Sequence, residues 1–312
     1  MLKKKYSFRN IAVALKRAVS SISDEIKLNS VLGKYDPVKA QQKAYKRRWY
    51  AGFRGKKIVA NNALRSFVDT ALNDGQSAEG ISGRIKNHEK HLPSVSKDTI
   101  YRYLKSAYGK LLGIKWKKRI RRKKPQKVTK LKDRVFIDKR PETINNRERV
   151  GDMEADFIVS GKSGKGVLLT VVCRKLRVAF LELILDVSID EVHLAFERIK
   201  ERFPEMITIT MDNDILFKMH KTLEILLKVL IYFCHPYHSW EKGSIENVNG
   251  EVRKFILKGS DLSQYNQEEI REIEKHINDR YMECLNFKTP QEMLDEYRQK
   301  LKKTAALADS IL

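Results

Sequence analysis

The pattern of apolar and polar residues changes character near residue 150. Beyond that point, short apolar and β-branched runs predict strands at 157–160, 166–173, 178–185, 206–211 and 229–233. Apolar residues spaced three and four apart predict helices between them, at 189–202, 217–228 and 240–255. This order of elements predicts an α/β domain, with a mixed sheet flanked by helices and ligands gathered at strand ends.

Two helical units are predicted before residue 150. In the first, at 8–29, the apolar spacing breaks at 18–20 and then resumes, with Ser20 as the N-cap of a second helix. Two short helices joined by a tight turn fit a helix-turn-helix, whose second helix enters the major groove of DNA. Ser21 and Ser23 are the candidate DNA contacts of this unit, and a basic helix is predicted after it at 34–48.

The second helical unit spans residues 77–105. One helix is predicted to open at Ser77, and another is predicted to start after Ser96 as its N-cap. That second helix would present Lys97, Thr99 and Arg102 to DNA. Any small helical bundle shows similar spacing, so plain core helices remain the alternative for both units.

Charge is strongly segregated along the chain. Residues 1–150 contain 40 Lys and Arg against 12 Asp and Glu, whereas residues 151–312 contain 23 against 27. A basic field of this size attracts polyanions, because each phosphate that it neutralises releases counterions. RNA would satisfy such a field as well as DNA does, so the charge alone leaves the nucleic acid open.

The densest basic segment runs from Lys115 to Arg134, where 12 of 20 residues are Lys or Arg. Runs of like charge repel themselves and are usually solvated. We predict a basic linker that contacts phosphates when DNA is present, and a merely solvated tether is the alternative. The candidate phosphate contacts within it are Lys117, Lys118, Arg119, Arg121 and Arg122.

Three acids in the second half are candidates for phosphoryl-transfer chemistry. Asp156 precedes an apolar run, Asp212 follows a β-branched run, and Glu246 lies in a predicted helix, with 33 residues between it and Asp212. Carboxylates converging from two strands and a helix can hold two Mg²⁺ or Mn²⁺ ions about 3.5–4 Å apart. Asp152 and Glu154 alternate with Asp156 on one strand face, so spacing alone does not select among the three.

The remaining features narrow the class of protein. The three cysteines are odd in number and mostly in apolar surroundings, which predicts reduced core residues in a cytoplasmic, nucleoid-associated protein. Neither a secretory signal nor a membrane span is expected, because the apolar stretches are short and interrupted by charge. Cys234 and His235 suggest zinc only weakly, since a second pair at suitable spacing is lacking. Lys242 and Arg253 flank Glu246 and either contact phosphate or face solvent.

The region from about 137 to 290 resembles the catalytic part of DDE transposases of the insertion-sequence-thirty family, relatives of retroviral integrases. The matching residues are Ile137, Arg140, Pro141, Arg147, Gly151, Glu154, Asp156, Arg174, Asp212, Asn213, Phe217, His220, Tyr232, Phe233, Cys234, His235, Pro236, Tyr237, Trp240, Gly243, Glu246, Asn247, Asn249, Gly250, Arg253, Asn278, Arg280, Leu285, Lys288, Thr289 and Pro290. The spacing of 33 residues between Asp212 and Glu246 also agrees with the family.

The resemblance implies a ribonuclease-H-like catalytic core preceded by all-α helix-turn-helix units. It implies that Asp156, Asp212 and Glu246 are the catalytic metal ligands for Mg²⁺ or Mn²⁺. The residues expected around them are Glu154, Asn213, Asn249 and Arg253. The implied activity is cleavage of transposon ends bound at inverted terminal repeats and their transfer to target DNA. A homo-oligomer on double-stranded DNA is expected as the working state, with no membrane partner.

The chain also departs from the family pattern close to the expected chemistry. Asp214 stands where the family has Gly, Leu216 replaces Glu, Ile245 replaces Asn, Met153 replaces Trp and Tyr281 replaces Pro. These departures keep two alternatives open: a non-enzymatic DNA-binding regulator, and a DNA nuclease without strand transfer. Relatives carry more helix ahead of the position of Tyr6, so the first unit is expected to be incomplete.

The predicted organisation has five parts. A helix-turn-helix with a basic helix spans 1–50, a second helix-turn-helix domain spans 60–112, and the basic linker spans 113–136. The catalytic core follows at 137–260, and C-terminal helices complete the chain at 261–312.

Overall fold

The computed structural model describes Leu2 and residues 6–51, 56–114, 134–161, 164–235 and 239–309. Its helices before the sheet are α1 Phe8–Leu15, α2 Val19–Asn29, α3 Pro37–Ala51, α4 Lys56–Val59, α5 Asn62–Asn73, α6 Ala78–Asn87, α7 Lys97–Leu104, α8 Ala107–Leu111 and α9 Glu142–Asn145. The later helices are α10 Ile189–Arg202, α11 His220–Leu227, α12 Gly243–Phe255, α13 Gln267–Asn278 and α14 Pro290–Asp309. No helix of the described residues has the length and apolar character needed to cross a membrane.

A mixed five-stranded sheet organises the second half of the chain. Its strands are β1 Asp152–Val159, β2 Val167–Cys173, β3 Ala179–Ile184, β4 Thr208–Met211 and β5 Leu230–Phe233. The spatial order is β3-β2-β1-β4-β5; β2 runs antiparallel to both neighbours, while β1, β4 and β5 run parallel. This order and these directions confirm the predicted ribonuclease-H-like fold class.

Each face of the sheet buries its own apolar cluster. Met153 and Ala155 of β1 point to the face covered by α10 and α11, where Phe196 and Leu223 pack. Ile158 points to the opposite face, which is covered by α12 and α13. Successive side chains of a strand point to opposite faces, so Glu154 and Asp156 share the α12 face with Ile158. The expectation that the alternating acids lie on one face is therefore confirmed.

Strand β1 begins earlier than the sequence predicted. It starts at Asp152, whereas the apolar pattern placed its start at residue 157. Asp152 and Glu154 are fully buried, but each is paired with an arginine, Arg149 and Arg174 respectively. Buried charge is tolerated where it is paired and hydrogen-bonded, so these acids extend the strand into a segment that reads as polar.

Helix α13 runs along the outer edge of β3 and satisfies its unpaired backbone groups. Asn278 accepts a hydrogen bond from the amide of Ala179 and donates one to its carbonyl, both at 2.8 Å. Glu274 accepts from the amide of Leu181 at 2.6 Å, and Gln267 accepts from the amide of Leu183 at 3.0 Å. Every second amide of the strand therefore bonds to a side chain where a further strand would otherwise add.

The chain divides into two compact units. The first comprises residues 1–66 and 98–113, and the second comprises 67–97 and 114–312. The five predicted parts and their bounds stay predictions beside this division.

In the first unit, α1 and α2 confirm the two short helices predicted at 8–29. The turn after α1 is stabilised by backbone hydrogen bonds to that helix. Lys16 adopts a left-handed conformation, and the backbone amide of Arg17 donates to the carbonyl of Ala12. Helix α2 therefore begins at Val19 with Ala18 as its N-cap. The predicted N-cap at Ser20 is wrong.

In the second compact unit, α6 contacts residues between α13 and α14 and at the start of α14. The helix opens where the sequence predicted, with Ser77 as its N-cap. Arg84 donates to both carboxylate oxygens of Glu292, each at 2.8 Å. A Cβ added at Gly83 would lie 2.2 Å from the ring of Phe287, so this close approach requires glycine. The first helix of the second predicted helix-turn-helix is thus held by contacts with the C-terminal part of the chain.

Candidate active site

The parallel pairing of β1 and β4 brings Asp156 and Asp212 to the same level. Glu154 lies opposite Thr210 in this pair. Two residues further along both strands, the same register reaches Asp156 within β1 and Asp212 directly after β4. Both carboxylates are partly accessible at the carboxyl end of β4, where ligands gather in α/β sheets.

The ammonium group of Lys242 lies between these two carboxylates. Its Nζ is 3.3 Å from Oδ1 of Asp156 and 3.3 Å from Oδ2 of Asp212. The side chain of Lys242 is only 7% exposed, although the sequence had left solvent exposure open for it. Two acids and one lysine therefore form a single charge cluster.

The cluster shifts the ionisation of its own members. Burial raises the pKa of Asp156; the charge of Lys242 opposes that shift, and the neighbouring Asp212 adds to it. Burial alone would lower the pKa of Lys242, but the charges of Asp156 and Asp212 outweigh it, and the pKa is raised. The lysine is consequently held in its charged form by the acids that surround it.

Asn249 fixes the second oxygen of Asp156. Its Nδ2 donates to Oδ2 of Asp156 at 2.7 Å, and its Oδ1 accepts from the hydroxyl of Thr170 at 2.8 Å. Oδ1 of Asp156 consequently faces the ammonium group of Lys242, while Oδ2 is held by Asn249 of α12. Thr170, on the adjacent strand β2, was not singled out in the sequence.

Glu154 joins β1 to the start of α12. Its Oε2 accepts a hydrogen bond from the backbone amide of Ile245 at 2.9 Å, and its Oε1 accepts one from Arg174 at 2.5 Å. Glu154 is fully buried, and both of its carboxylate oxygens are engaged by these two donors. The expectation that Glu154 surrounds the catalytic acids without joining them stays a prediction.

The loop after β4 is held by its own short-range contacts. Oδ1 of Asp212 accepts from the amide of Asp214 at 3.1 Å, and Oδ1 of Asp214 accepts from the amide of Leu216 at 2.9 Å. Asn213 donates to the carbonyl of Cys234 at 2.9 Å and accepts from Arg134. Burial raises the pKa of Asp214, whose carboxylate caps the following turn.

Glu246 lies in the first turn of α12, one helical turn beyond Lys242, and is exposed. Within the described part of the chain, no three His, Cys, Asp or Glu side chains lie close enough together to hold a metal ion. Asp156 and Asp212 are thus brought together, and Glu246 stands apart from them on the neighbouring helix. Arg253 donates to the carbonyl of Leu257 at 3.3 Å, near the other end of α12.

His235 links three segments beside the cluster. Its Nδ1 is 3.0 Å from Glu241, its Nε2 is 2.8 Å from Asp138, and its ring stacks on Phe136. The amide of His235 also donates to Glu241 at 2.9 Å. These contacts connect Glu241, the residue before Lys242, to the end of β5 and to the segment that precedes the sheet.

The predicted DNA contacts occupy different surroundings. Ser21 is exposed on α2, Ser23 is half-buried there, and Arg102 is exposed on α7. Lys97, at the start of α7, forms an ion pair with Glu79, and Thr99 is half-buried. Lys117, Lys118, Arg119, Arg121 and Arg122 lie outside the described residues.

The similarity of the chain to known transposases makes it a polynucleotidyl-transfer enzyme, built on a ribonuclease-H-like sheet. The chain belongs to the IS30 family of insertion-sequence transposases. It is 35% identical over 304 residues to the transposase for insertion sequence element IS4351 of Bacteroides fragilis, covering 94% of this chain and 91% of that one. It is 28% identical over 311 residues to the transposase InsI for IS30A of Escherichia coli K12, covering 94% and 80%.

Two further comparisons concern protein-family models and solved structures. No protein-family model matches the chain. The catalytic core domain of BIV integrase is similar in structure with a TM-score of 0.37 and 14% sequence identity, covering 48% of this chain and 98% of that one.

Proposed function

We propose that this transposase binds the inverted terminal repeats of its element, cleaves the element's ends and joins them to target DNA. In this proposal Asp156, Asp212 and Glu246 are the catalytic carboxylates. Water attacks a phosphodiester at the element end and leaves a free 3′-hydroxyl. That hydroxyl then attacks a phosphate of the target strand, and a new phosphodiester replaces the one that breaks.

The observation that carries the proposal is the convergence of Asp156 and Asp212 on one positive charge. Both carboxylates direct an oxygen at the Nζ of Lys242. Hard carboxylate oxygens that already surround a cation are a donor set that suits Mg²⁺ or Mn²⁺. When bound, such ions activate the attacking oxygen and stabilise the leaving one. Glu246 would complete the donor set from α12.

The neighbouring residues orient this donor set. Asn249 holds Oδ2 of Asp156, so Oδ1 stays directed at the cation position. The amide of Asp214 holds Oδ1 of Asp212, which leaves Oδ2 directed at the same position. Each aspartate thus offers one oxygen while a fixed neighbour holds the other. Such preorganisation lowers the reorganisation needed when charge develops in the transition state.

The basic first half supplies the DNA-binding surface in this proposal. Residues 1–150 carry 40 Lys and Arg, and the second half carries the acids. Helix α2 with Ser21 and Ser23, and helix α7 with Lys97, Thr99 and Arg102, would read the terminal repeats. The linker from Lys117 to Arg122 would follow the backbone, and copies of the chain would assemble as a homo-oligomer on the paired ends.

An assay with a DNA fragment that carries the element's end tests the proposal. Asp156→Asn, Asp212→Asn and Glu246→Gln should each abolish cleavage and joining, because each removes a charge needed to hold the metal. DNA binding by these variants should stay at the wild-type level, since the basic half is untouched. Asp186→Asn, on an exposed position after β3, is the matched control and should retain full activity.

The same assay separates the two alternatives. Cleavage without joining in the wild-type protein would identify a nuclease. Specific binding with neither step would identify a regulator. Joining at the wild-type rate by Asp156→Asn would remove that residue from the catalytic set.

A further inference from the structure

Lys242 occupies an unusual place for a lysine. It precedes Gly243 as the N-cap of α12, where the partial positive charge of the helix dipole disfavours a cation. Its side chain is also buried, which costs free energy unless the charge is paired. The helix and the burial both oppose the lysine, so the attraction of Asp156 and Asp212 must hold it there.

The lysine also relieves a conflict between the two acids. Asp156 and Asp212 each contact the same Nζ, so their carboxylates face one another across it. Without a cation between them, two like charges in a partly buried site repel. Lys242 therefore neutralises the two carboxylates when no other cation lies between them.

A divalent ion bound by the same two oxygens would meet this ammonium directly. Oδ1 of Asp156 and Oδ2 of Asp212 cannot each direct the same lone pairs at Lys242 and at a metal. Two cations within a few ångström of one another also repel. Metal binding therefore requires Lys242 to leave, and the side chain then needs another anion.

We propose that Lys242 is a resident counter-ion that the phosphate of bound DNA draws away, so that DNA and divalent metal bind cooperatively. The inference rests on the proposed function, because it takes Asp156 and Asp212 as the metal ligands. The long flexible stem of lysine allows its ammonium group to move from a carboxylate to a phosphate. In a thermodynamic cycle the effect is mutual: DNA tightens metal binding by the same factor as metal tightens DNA binding.

The coupling predicts a specific effect of Lys242→Gln. This variant removes the competing charge, so Mn²⁺ should bind more tightly in the absence of DNA, by on the order of tenfold. A short linear duplex should tighten Mn²⁺ binding by a similar factor in the wild type and much less in the variant. Without any metal, Lys242→Gln should unfold at a lower temperature, and Mn²⁺ should restore the loss by replacing the ammonium.

Mn²⁺ titrations of the full chain, followed by the paramagnetic resonance of the free ion, measure these affinities with and without duplex. Lys254→Gln is the matched control, because Lys254 lies on the same helix, is exposed and pairs with Glu251. It removes the same charge far from the acids and should leave the coupling intact. Lys242→Arg keeps the charge and should also retain the coupling.

The outcomes separate this inference from the proposed function. Unchanged Mn²⁺ affinity and unchanged coupling in Lys242→Gln would overturn the counter-ion role. A Lys242→Gln protein that stays unfolded even in Mn²⁺ would overturn it too, because the metal should replace the lysine. A Mn²⁺ site that survives in Asp156→Asn and Asp212→Asn would instead overturn the proposed metal ligands.

Discussion

The carboxylate of Glu154 accepts a hydrogen bond from the backbone amide of Ile245, across 2.9 Å between strand β1 and helix α12. The first amides of a helix lack carbonyl partners within the helix, so an acceptor here also suits the helix dipole. This bond connects the strand that carries Asp156 to the helix that carries Glu246. The departure from the family pattern at Ile245 leaves it intact, because the backbone makes it while the side chain packs in the core.

Glu154→Gln is expected to destabilise the protein strongly. The side-chain carbonyl of the introduced glutamine can still accept from the backbone amide of Ile245. The buried charge of Arg174, however, loses its carboxylate partner. Breaking a buried ion pair by removing one partner costs about 3–5 kcal/mol. Urea unfolding of the two proteins measures the difference. Glu201→Gln, an exposed position on α10, is the control, and an equally small change in both variants would contradict the structural role.

Substitution of Asp214 should separate the capping role of its carboxylate from its charge. Asp214→Asn keeps an acceptor for the amide of Leu216 and removes a charge two residues from Asp212. The variant should retain strand transfer and need more Mg²⁺ for half-maximal rate, because a nearby anion favours metal binding. Asp214→Gly should show the same Mg²⁺ shift and, in addition, lose about 0.3 kcal/mol from the missing cap, because glycine is itself tolerated at cap positions. Loss of all activity in both variants would place Asp214 in the catalytic set.

The ion pair between Arg84 and Glu292 should make folding stability depend on acid pH. Burial alone would raise the pKa of Glu292, but hydrogen bonds from Arg84 and from the amide of Thr289 outweigh it and lower the pKa below 4.5. A depressed pKa stabilises the fold above the unfolded value, and this contribution is lost as pH falls through the folded value.

A double-mutant cycle of Arg84→Ala and Glu292→Gln measures this interaction. The interaction energy should be on the order of 1 kcal/mol at pH 7 and should fade as the pH falls through the lowered pKa of Glu292. Gln291→Ala is a control on the same turn of α14. A coupling that persists unchanged in acid would show that the pair is not ionic.

Thiol reactivity should distinguish the three cysteines. Burial raises the pKa of Cys234 to about 12 and also raises that of Cys173, whereas Cys284 is exposed. The thiolate is the reactive form, so Cys284 should be the one thiol that iodoacetamide alkylates at pH 8 in the folded protein. Mass spectrometry should find a single adduct, and three adducts after denaturation. Rapid alkylation of Cys234 before unfolding would contradict its burial.

The sequence predicted the parts of the fold that depend on local pattern. Helix α10 has the predicted bounds, 189–202, because apolar residues at helical spacing and the N-cap Ser188 act over a few positions. Strand β1 was started too late, since Asp152 and Glu154 read as polar until their arginine partners are known. Cys284 was read with the other cysteines as a core residue, yet it is exposed.

The meeting of Asp156 and Asp212 was predictable from the sequence, but the lysine between them was not. The order and spacing of Asp156, Asp212 and Glu246 indicated a carboxylate site, and the parallel register brings the first two together. The sequence did not indicate that Lys242 is buried, because its environment depends on how α12 packs against the sheet. The contact between Arg84 and Glu292 joins residues 208 positions apart, and no local pattern reports a contact of that range.

The side chains of α13 that satisfy β3 also determine how copies of the chain can meet. An open edge strand invites another chain to extend the sheet, which leads to uncontrolled association. Here Gln267, Glu274 and Asn278 already bond to the outward amides of β3. A second copy cannot add a strand there without first dislodging a helix. Copies of the chain that meet in solution are therefore protected from joining along this edge, and any contact between them would use other surfaces.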